Sequence, residues 1–218
     1  MSEKLSELER WPGKTVGEIR DAYDEEEARG FTRFGWLLHL VTGRWRRPQF
    51  SGADGRVLDV ACGTGVNFRY VPETADIVGI DVSPDMLEFA RQEAADLGRE
   101  LDLERMDAQH LSFEDDSFDT VISSFSTCTF PDPIEALNEM ARVCRPDGDV
   151  RLLEHGKSHF GPYARFQEWR SESEYRDVGC RLFDDPTEVV KRSELAVEVE
   201  RKWHLGAITG IVARPPKD

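Results

Sequence analysis

The sequence predicts an α/β fold, a mostly parallel sheet with helices on both faces and an antiparallel hairpin at its C-terminal end. Three observations lead there. From residue 56 to about residue 154, short apolar runs alternate with helical patterns, as strands joined by crossover helices do. The first run, Arg56 to Val60, gives way to Ala61-Cys62-Gly63-Thr64-Gly65, a turn of small residues. Two alternating stretches near the end, Leu195 to Glu200 and Ala207 to Ala213, are joined through Gly206 and read as a hairpin.

A chain of 218 residues suits one such domain with a full core, here residues 51–218, preceded by a helical cap over residues 1–50. The cap opens on a polar stretch with a helical run from Ile19 to Arg29 that carries Tyr23 and the triplet Glu25-Glu26-Glu27. An aromatic-rich helix follows at residues 31 to 41, then the basic cluster Arg44, Arg46 and Arg47. Three fates stand for the 31 to 47 stretch: a lid over an apolar pocket, a helix lying in a membrane interface, or a helix docked on the sheet by its apolar face.

In the first turn Gly63 and Gly65 lack a Cβ, so the backbone can enter conformations closed to other residues and a ligand can approach the main chain. A helix is expected from there through Asn67 and Tyr70 to Val71, stopped by Pro72. The second strand, Asp76 to Asp81, ends in a carboxylate about 20 residues past the turn, where it can accept two ribose hydroxyls. Ser83 is a good N-cap and Pro84 fits the first helical position of the next helix. Val82 and Met86 would then flank an adenosine. The third strand, Leu101 to Ala108, ends in Asp107 and Ala108, suited to an adenine amino group and ring nitrogen.

The fourth strand spans Asp116 to Phe125, and its carbonyls near Ser124 suit an ammonium group. Asp132-Pro133-Ile134-Glu135 reads as a capping box opening a helix to Val143. Arg145 to Gly148 reads as a turn into the fifth strand, Asp149 to Glu154. From His155 to about Arg176 the alternation breaks, and an insertion over about 155–185 sits where pockets are built after a strand end.

The glycine spacing separates two cofactor classes. A dinucleotide site wants G-x-G-x-x-G, but Gly63-x-Gly65 is followed by Phe68 and Ala61-x-Gly63 by Val66. A nicotinamide oxidoreductase is therefore disfavoured. The run Asp59-x-Ala61-x-Gly63-x-Gly65 resembles the first motif of the class I S-adenosylmethionine-dependent methyltransferases, with Ala61 in place of the usual first glycine.

That resemblance covers roughly residues 55 to 214 and is nearest the type-11, quinone-methylase-like group. Gly63 to Tyr70, Cys128-Thr129-Phe130, Leu153-Glu154-His155 and Trp169 leading to Gly179-Cys180 are similar to the thiol-methylating subgroup, whose members usually carry an N-terminal hydrophobic anchor. The resemblance implies a Rossmann-like seven-stranded sheet and S-adenosylmethionine as cofactor. It implies contacts from Asp59, Ala61, Cys62, Gly63, Gly65, Asn67, Asp81, Val82, Met86, Asp107, Ala108 and Ser124, with Tyr23 folding over the cofactor.

Methyl transfer needs few catalytic groups beyond alignment and exclusion of water. His155, at the end of the fifth strand, is the best placed base, followed by His159. Cys128 reads as a small hydrophobe lining the crevice. The acceptor is expected to be small and partly apolar: a quinol, thiol, phospholipid amine or other metabolite. A non-catalytic cofactor-binding or partner-binding module on the same fold is the alternative.

Composition narrows the partners. Lys and Arg number 28 against 43 Asp and Glu, a net charge of -15, which repels a phosphate backbone and argues against nucleic acid. Only six of the basic residues are lysine, and acidic residues run throughout, a surface suited to a salt-rich cytoplasm or to a GC-rich genome. Four cysteines without a C-x-x-C pair, and no signal peptide, point to free thiols in a reducing, cytoplasmic setting.

Overall fold

The chain is described by a computed structural model over residues 11–33, 35–183 and 185–216. Seven strands form one sheet: β1 (Arg56–Val60), β2 (Asp76–Asp81), β3 (Asp102–Arg105), β4 (Phe118–Ser124), β5 (Cys144–His155), β6 (Ala196–Trp203) and β7 (Ile208–Arg214). Their spatial order is β3-β2-β1-β4-β5-β7-β6. The first five are parallel, whereas β7 runs antiparallel to β5 and β6 antiparallel to β7. This is the mostly parallel Rossmann-like sheet closed by a hairpin that the sequence predicts.

Each central strand is apolar on both faces because helices cover both. Alternate residues divide between two cores. Leu58, Val60, Val121, Val150 and Leu152 pack on one side with Ala136, Leu137 and Met140 of α5 (Pro133–Val143). Val57, Ile77, Ile122 and Leu153 pack on the other with Leu87, Ala90 and Ala94 of α4 (Pro84–Asp96) and with Trp45 and Phe50 of α3 (Gly35–Phe50). A two-residue period along the strands thus yields two cores.

The helix starts follow their caps. Ser83 Oγ accepts from Met86 N ahead of α4, and Asp132 caps α5 through the amides of Ile134 and Glu135.

Five expectations are corrected. The helix expected from the first turn to Val71 is instead a series of turns and a short 3-10 segment, Phe68–Tyr70. Ala61, Gly63 and Gly65 all have positive φ, and that left-handed backbone leaves too few residues before Pro72 for a helix. The run from Ile19 to Arg29 breaks at Tyr23 into α1 (Val16–Ala22) and α2 (Glu25–Arg33), since Asp24 Oδ1 accepts from the amides of Glu26 and Glu27 and starts a second helix.

The basic cluster at 43 to 48 continues α3 rather than following it, with Pro48 accommodated in the last turn. Arg145 to Gly148 belongs to β5, where the register against β4 shifts between Phe118 and Thr120 instead of opening a separate turn. The stretch after His155 contains the 18-residue helix α6 (Gly161–Val178), ended by Gly179 at φ 72, and the short α7 (Pro186–Val190) follows. Among the described residues, no helix is long and apolar enough to cross a membrane.

Candidate cofactor site

The C-terminal ends of β1, β2 and β4 and the loop after β3 open on one cavity of about 360 Å³. Eleven of the residues expected to touch a cofactor line it: Tyr23, Ala61, Cys62, Gly63, Asn67, Asp81, Val82, Met86, Asp107, Ala108 and Ser124. Strands that lie side by side bring residues from 23 to 124 together at the crevice where parallel sheets bind ligands.

Asp81 is held at the centre. Its Oδ2 accepts from Gly63 N at 2.9 Å and its Oδ1 from Ser83 N at 2.9 Å, so the carboxylate clamps the glycine turn to the start of α4. Burial raises its pKa, against the amides of Ser83 and Gly63 that hold it down. Each oxygen keeps a second lone pair for an incoming hydroxyl. Gly63 has φ +56, and a Cβ built there would meet nothing within 4 Å, so the missing side chain leaves open space at the cavity wall. The carboxylate and the bare backbone beside it fit a nucleoside with two vicinal hydroxyls.

Tyr23 reaches the cavity from the α1–α2 junction, and its carbonyl accepts from Ser83 Oγ at 2.6 Å. That bond ties the cap to the helix start beside Asp81. Asp107 accepts from Gln109 N at 3.0 Å through Oδ1.

Two expected residues sit behind the wall. Asp59 is fully buried; its Oδ1 accepts from Asn67 Nδ2 at 3.0 Å and its Oδ2 has no partner among the described residues. Desolvation pushes its pKa up to about 7 although Asn67 and Arg46 oppose this. It orients Asn67 rather than facing the cavity, because alternation along β1 turns it under the turn. Gly65 does not line the cavity either: at φ +79 a Cβ there would stand 2.5 Å from the Phe68 ring, so its small size serves packing of the turn.

His155 is also outside the lining. Its ring stacks on Phe125 at 6.3 Å between centroids, and it is Phe125, at φ 55 just past β4, that faces the cavity. His155 Nε2 stands 3.1 Å from Cys180 Sγ. The adjacent Glu154 is buried, with Oε2 unpartnered among the described residues and its pKa pushed up to about 7 by burial.

Arg46 is the residue that sequence reasoning missed. It enters the cavity wall from α3, 4% exposed, and donates to Asn67 Oδ1, to Ser124 Oγ at 2.7 Å and, through Nε, to Thr42 Oγ1 at 3.0 Å. Its guanidinium also lies over the Phe125 ring at 5.2 Å. Burial lowers its pKa to about 10, so it remains a cation. The signal was the four-residue step from Thr42 to Arg46, which places both on one helix face. Val16, Ile19 and Phe130 line the cavity as well and make much of it apolar.

Residues 58–152 match the methyltransferase domain family, a span that contains the cavity-lining residues named above apart from Val16, Ile19, Tyr23 and Arg46. Over this span the chain is similar to that family. The cofactor of this family is S-adenosylmethionine. The chain is 39% identical over 116 residues to a phosphatidylethanolamine N-methyltransferase of Cereibacter sphaeroides, covering 52% of this chain and 57% of that one. It is 34% identical over 142 residues to a ubiquinone/menaquinone biosynthesis C-methyltransferase of Bdellovibrio bacteriovorus, covering 62% and 60%. A solved S-adenosylmethionine-dependent methyltransferase of Thermotoga maritima shares the fold, with a TM-score of 0.69 at 17% identity over 91% of this chain and 100% of that one. The chain spans about half the length of the curated relatives it matches.

Proposed function

We propose that this protein transfers a methyl group from S-adenosylmethionine to a small, partly apolar acceptor: a quinol, a thiol, a phospholipid amine or a related metabolite. The observation that carries the reading is the cavity shared by the glycine turn, Asp81 and Asp107, whose remaining wall is largely apolar apart from the Arg46 and Ser124 end. Relatives named for ubiquinone/menaquinone biosynthesis and for phosphatidylethanolamine N-methylation support a quinol or a phospholipid amine among these. When bound, the cofactor supplies a sulfonium methyl group for in-line displacement.

The residues divide the work. Asp81 would hold the ribose and Asp107 with Ala108 the adenine, while Val82 and Met86 flank it. Arg46 and Ser124 form the polar end, where a buried guanidinium suits the carboxylate of the methionine portion. Tyr23, Val16, Ile19, Phe125 and Phe130 exclude water from the acceptor side. Tyr23 is the ionisable group among these five, and burial raises its pKa, which favours acceptors that are nucleophilic without deprotonation inside the site or that arrive ionised.

Calorimetry with S-adenosylhomocysteine tests the first half of the reading. Wild type should bind at one site per chain. Turnover against quinol, thiol, phenol and amine panels tests the second half; binding without turnover on any of them would favour the non-catalytic module.

A further inference from the structure

Behind the Phe125 wall, three donors from three separate segments converge: Cys128 in the turn after β4, His155 at the end of β5 and Cys180 just past the Gly179 cap of α6. Their ligand atoms all lie within 4.8 Å of one another, and Cys180 Sγ to His155 Nε2 is 3.1 Å. In a tetrahedral site with Zn–S near 2.3 Å and Zn–N near 2.0 Å, neighbouring donors sit roughly 3.3 to 3.8 Å apart. Side-chain adjustments of up to about 1 Å bring these three to that spacing.

The backbone holds the donors in place. Arg181, 2% exposed, donates its amide to the Cys128 carbonyl at 3.1 Å, its Nε to the same carbonyl at 3.0 Å and a further N–H to the Phe130 carbonyl. The loop carrying Cys180 is thereby locked against the loop carrying Cys128. His155 is fixed by the β5–β7 ladder, paired with Ile208, and by the face of Phe125. Cys128 is buried, whereas Cys180 and His155 are half-buried, so an ion has a way in from solvent.

The donor set is selective. Two thiol sulfurs and one imidazole nitrogen suit zinc and other thiophilic metals and offer nothing to magnesium or calcium, which require oxygen. Two thiolates would neutralise a divalent ion, so the neighbouring Arg181 guanidinium would not face a net positive site.

We propose that Cys128, His155 and Cys180 form a binding site for a thiophilic divalent cation, Zn2+ foremost. Three protein ligands leave the fourth tetrahedral place to water or to an exogenous donor. The site lies on the far side of Phe125 from the cofactor cavity and does not depend on methyl transfer for its existence.

The test uses the full chain, reduced, stripped with a chelator and titrated with Zn2+ against a chromophoric competitor. The expected result is one equivalent bound with submicromolar affinity and a rise in Tm on saturation. Affinity should fall by at least a hundredfold in Cys128→Ser, Cys180→Ser and His155→Ala, while Cys144→Ala binds as wild type. Circular dichroism of each variant separates loss of a donor from loss of fold. Co2+ loaded in place of Zn2+ should show sulfur-to-metal charge transfer that weakens in either serine variant. The proposal is overturned if the reduced chain takes up no stoichiometric Zn2+, if folded Cys128→Ser and Cys180→Ser bind as tightly as wild type, or if bound Co2+ shows no thiolate band.

Discussion

Asp81 and Asp59 are both buried carboxylates at the end of a strand, and the difference between them is what each touches. Asp81 faces the cavity with both oxygens held by amides, so Asp81→Ala should weaken S-adenosylhomocysteine binding at least tenfold by calorimetry while leaving the circular dichroism spectrum unchanged. Equal affinity in the two proteins would remove Asp81 from the cofactor site. Asp59, in contrast, acts on stability. Its pKa in the folded chain is pushed up to about 7 from an ordinary value of 3.8. Between those values the folded chain keeps a proton that the unfolded chain has released, so stability falls as pH rises through this window by on the order of 1.4 kcal/mol per pH unit. Above the upper value the loss is complete. Asp59→Asn should flatten the pH dependence of the urea midpoint between pH 4 and 7; an unchanged slope would mean that Asp59 is ionised throughout. Both acids were legible as motif residues, but their division into ligand-facing and supporting roles depends on which side of β1 and β2 each side chain leaves.

At the scale of elements, the start of α4 is a junction. Ser83 Oγ accepts from Met86 N as N-cap and donates to the Tyr23 carbonyl, joining the core helix to the α1–α2 break. Ser83→Ala therefore removes a cap, worth about 1 kcal/mol, and a tertiary tie at once. The expected outcome is a lower urea midpoint together with weaker S-adenosylhomocysteine binding, whereas loss of stability alone would show that Tyr23 does not depend on this bond. The α3 helix carries a second test. Arg46→Met keeps the aliphatic packing and removes the charge, and it should raise the dissociation constant for S-adenosylhomocysteine about tenfold or more with Arg47→Met near wild type, since only Arg46 reaches the wall. The caps of α4 and α5 were readable because Ser-Pro and Asp-Pro signals act locally. The absent helix after β1 was not, because alternate left-handed residues at 61, 63 and 65 win over the helical pattern that follows them.

For the whole molecule, a net charge of -15 on 218 residues sets a self-repulsion that salt screens. The Tm should rise steadily with potassium chloride from low ionic strength to molar concentrations, measured by differential scanning calorimetry. A Tm that is flat or falls with salt would show that the acidic surface is no burden on the fold. The two cores are apolar, as is much of the cavity wall, and the buried cation at the site, Arg46, is surrounded by hydrogen-bond acceptors.

The alternation of strand and helix, the closing hairpin, the glycine turn and the acidic strand ends were determined by the sequence alone, because each rests on residues close together in the chain whose periodicity or backbone freedom is local. What only the tertiary structure decided was convergence across distance. It placed Arg46 from the cap against Asn67 and Ser124, set Phe125 between the cavity and His155, and drew Cys180 to Cys128 and His155 from segments 52 and 25 positions away. Those meetings follow from strand order and from the packing of helices on the sheet, which no short window of sequence contains.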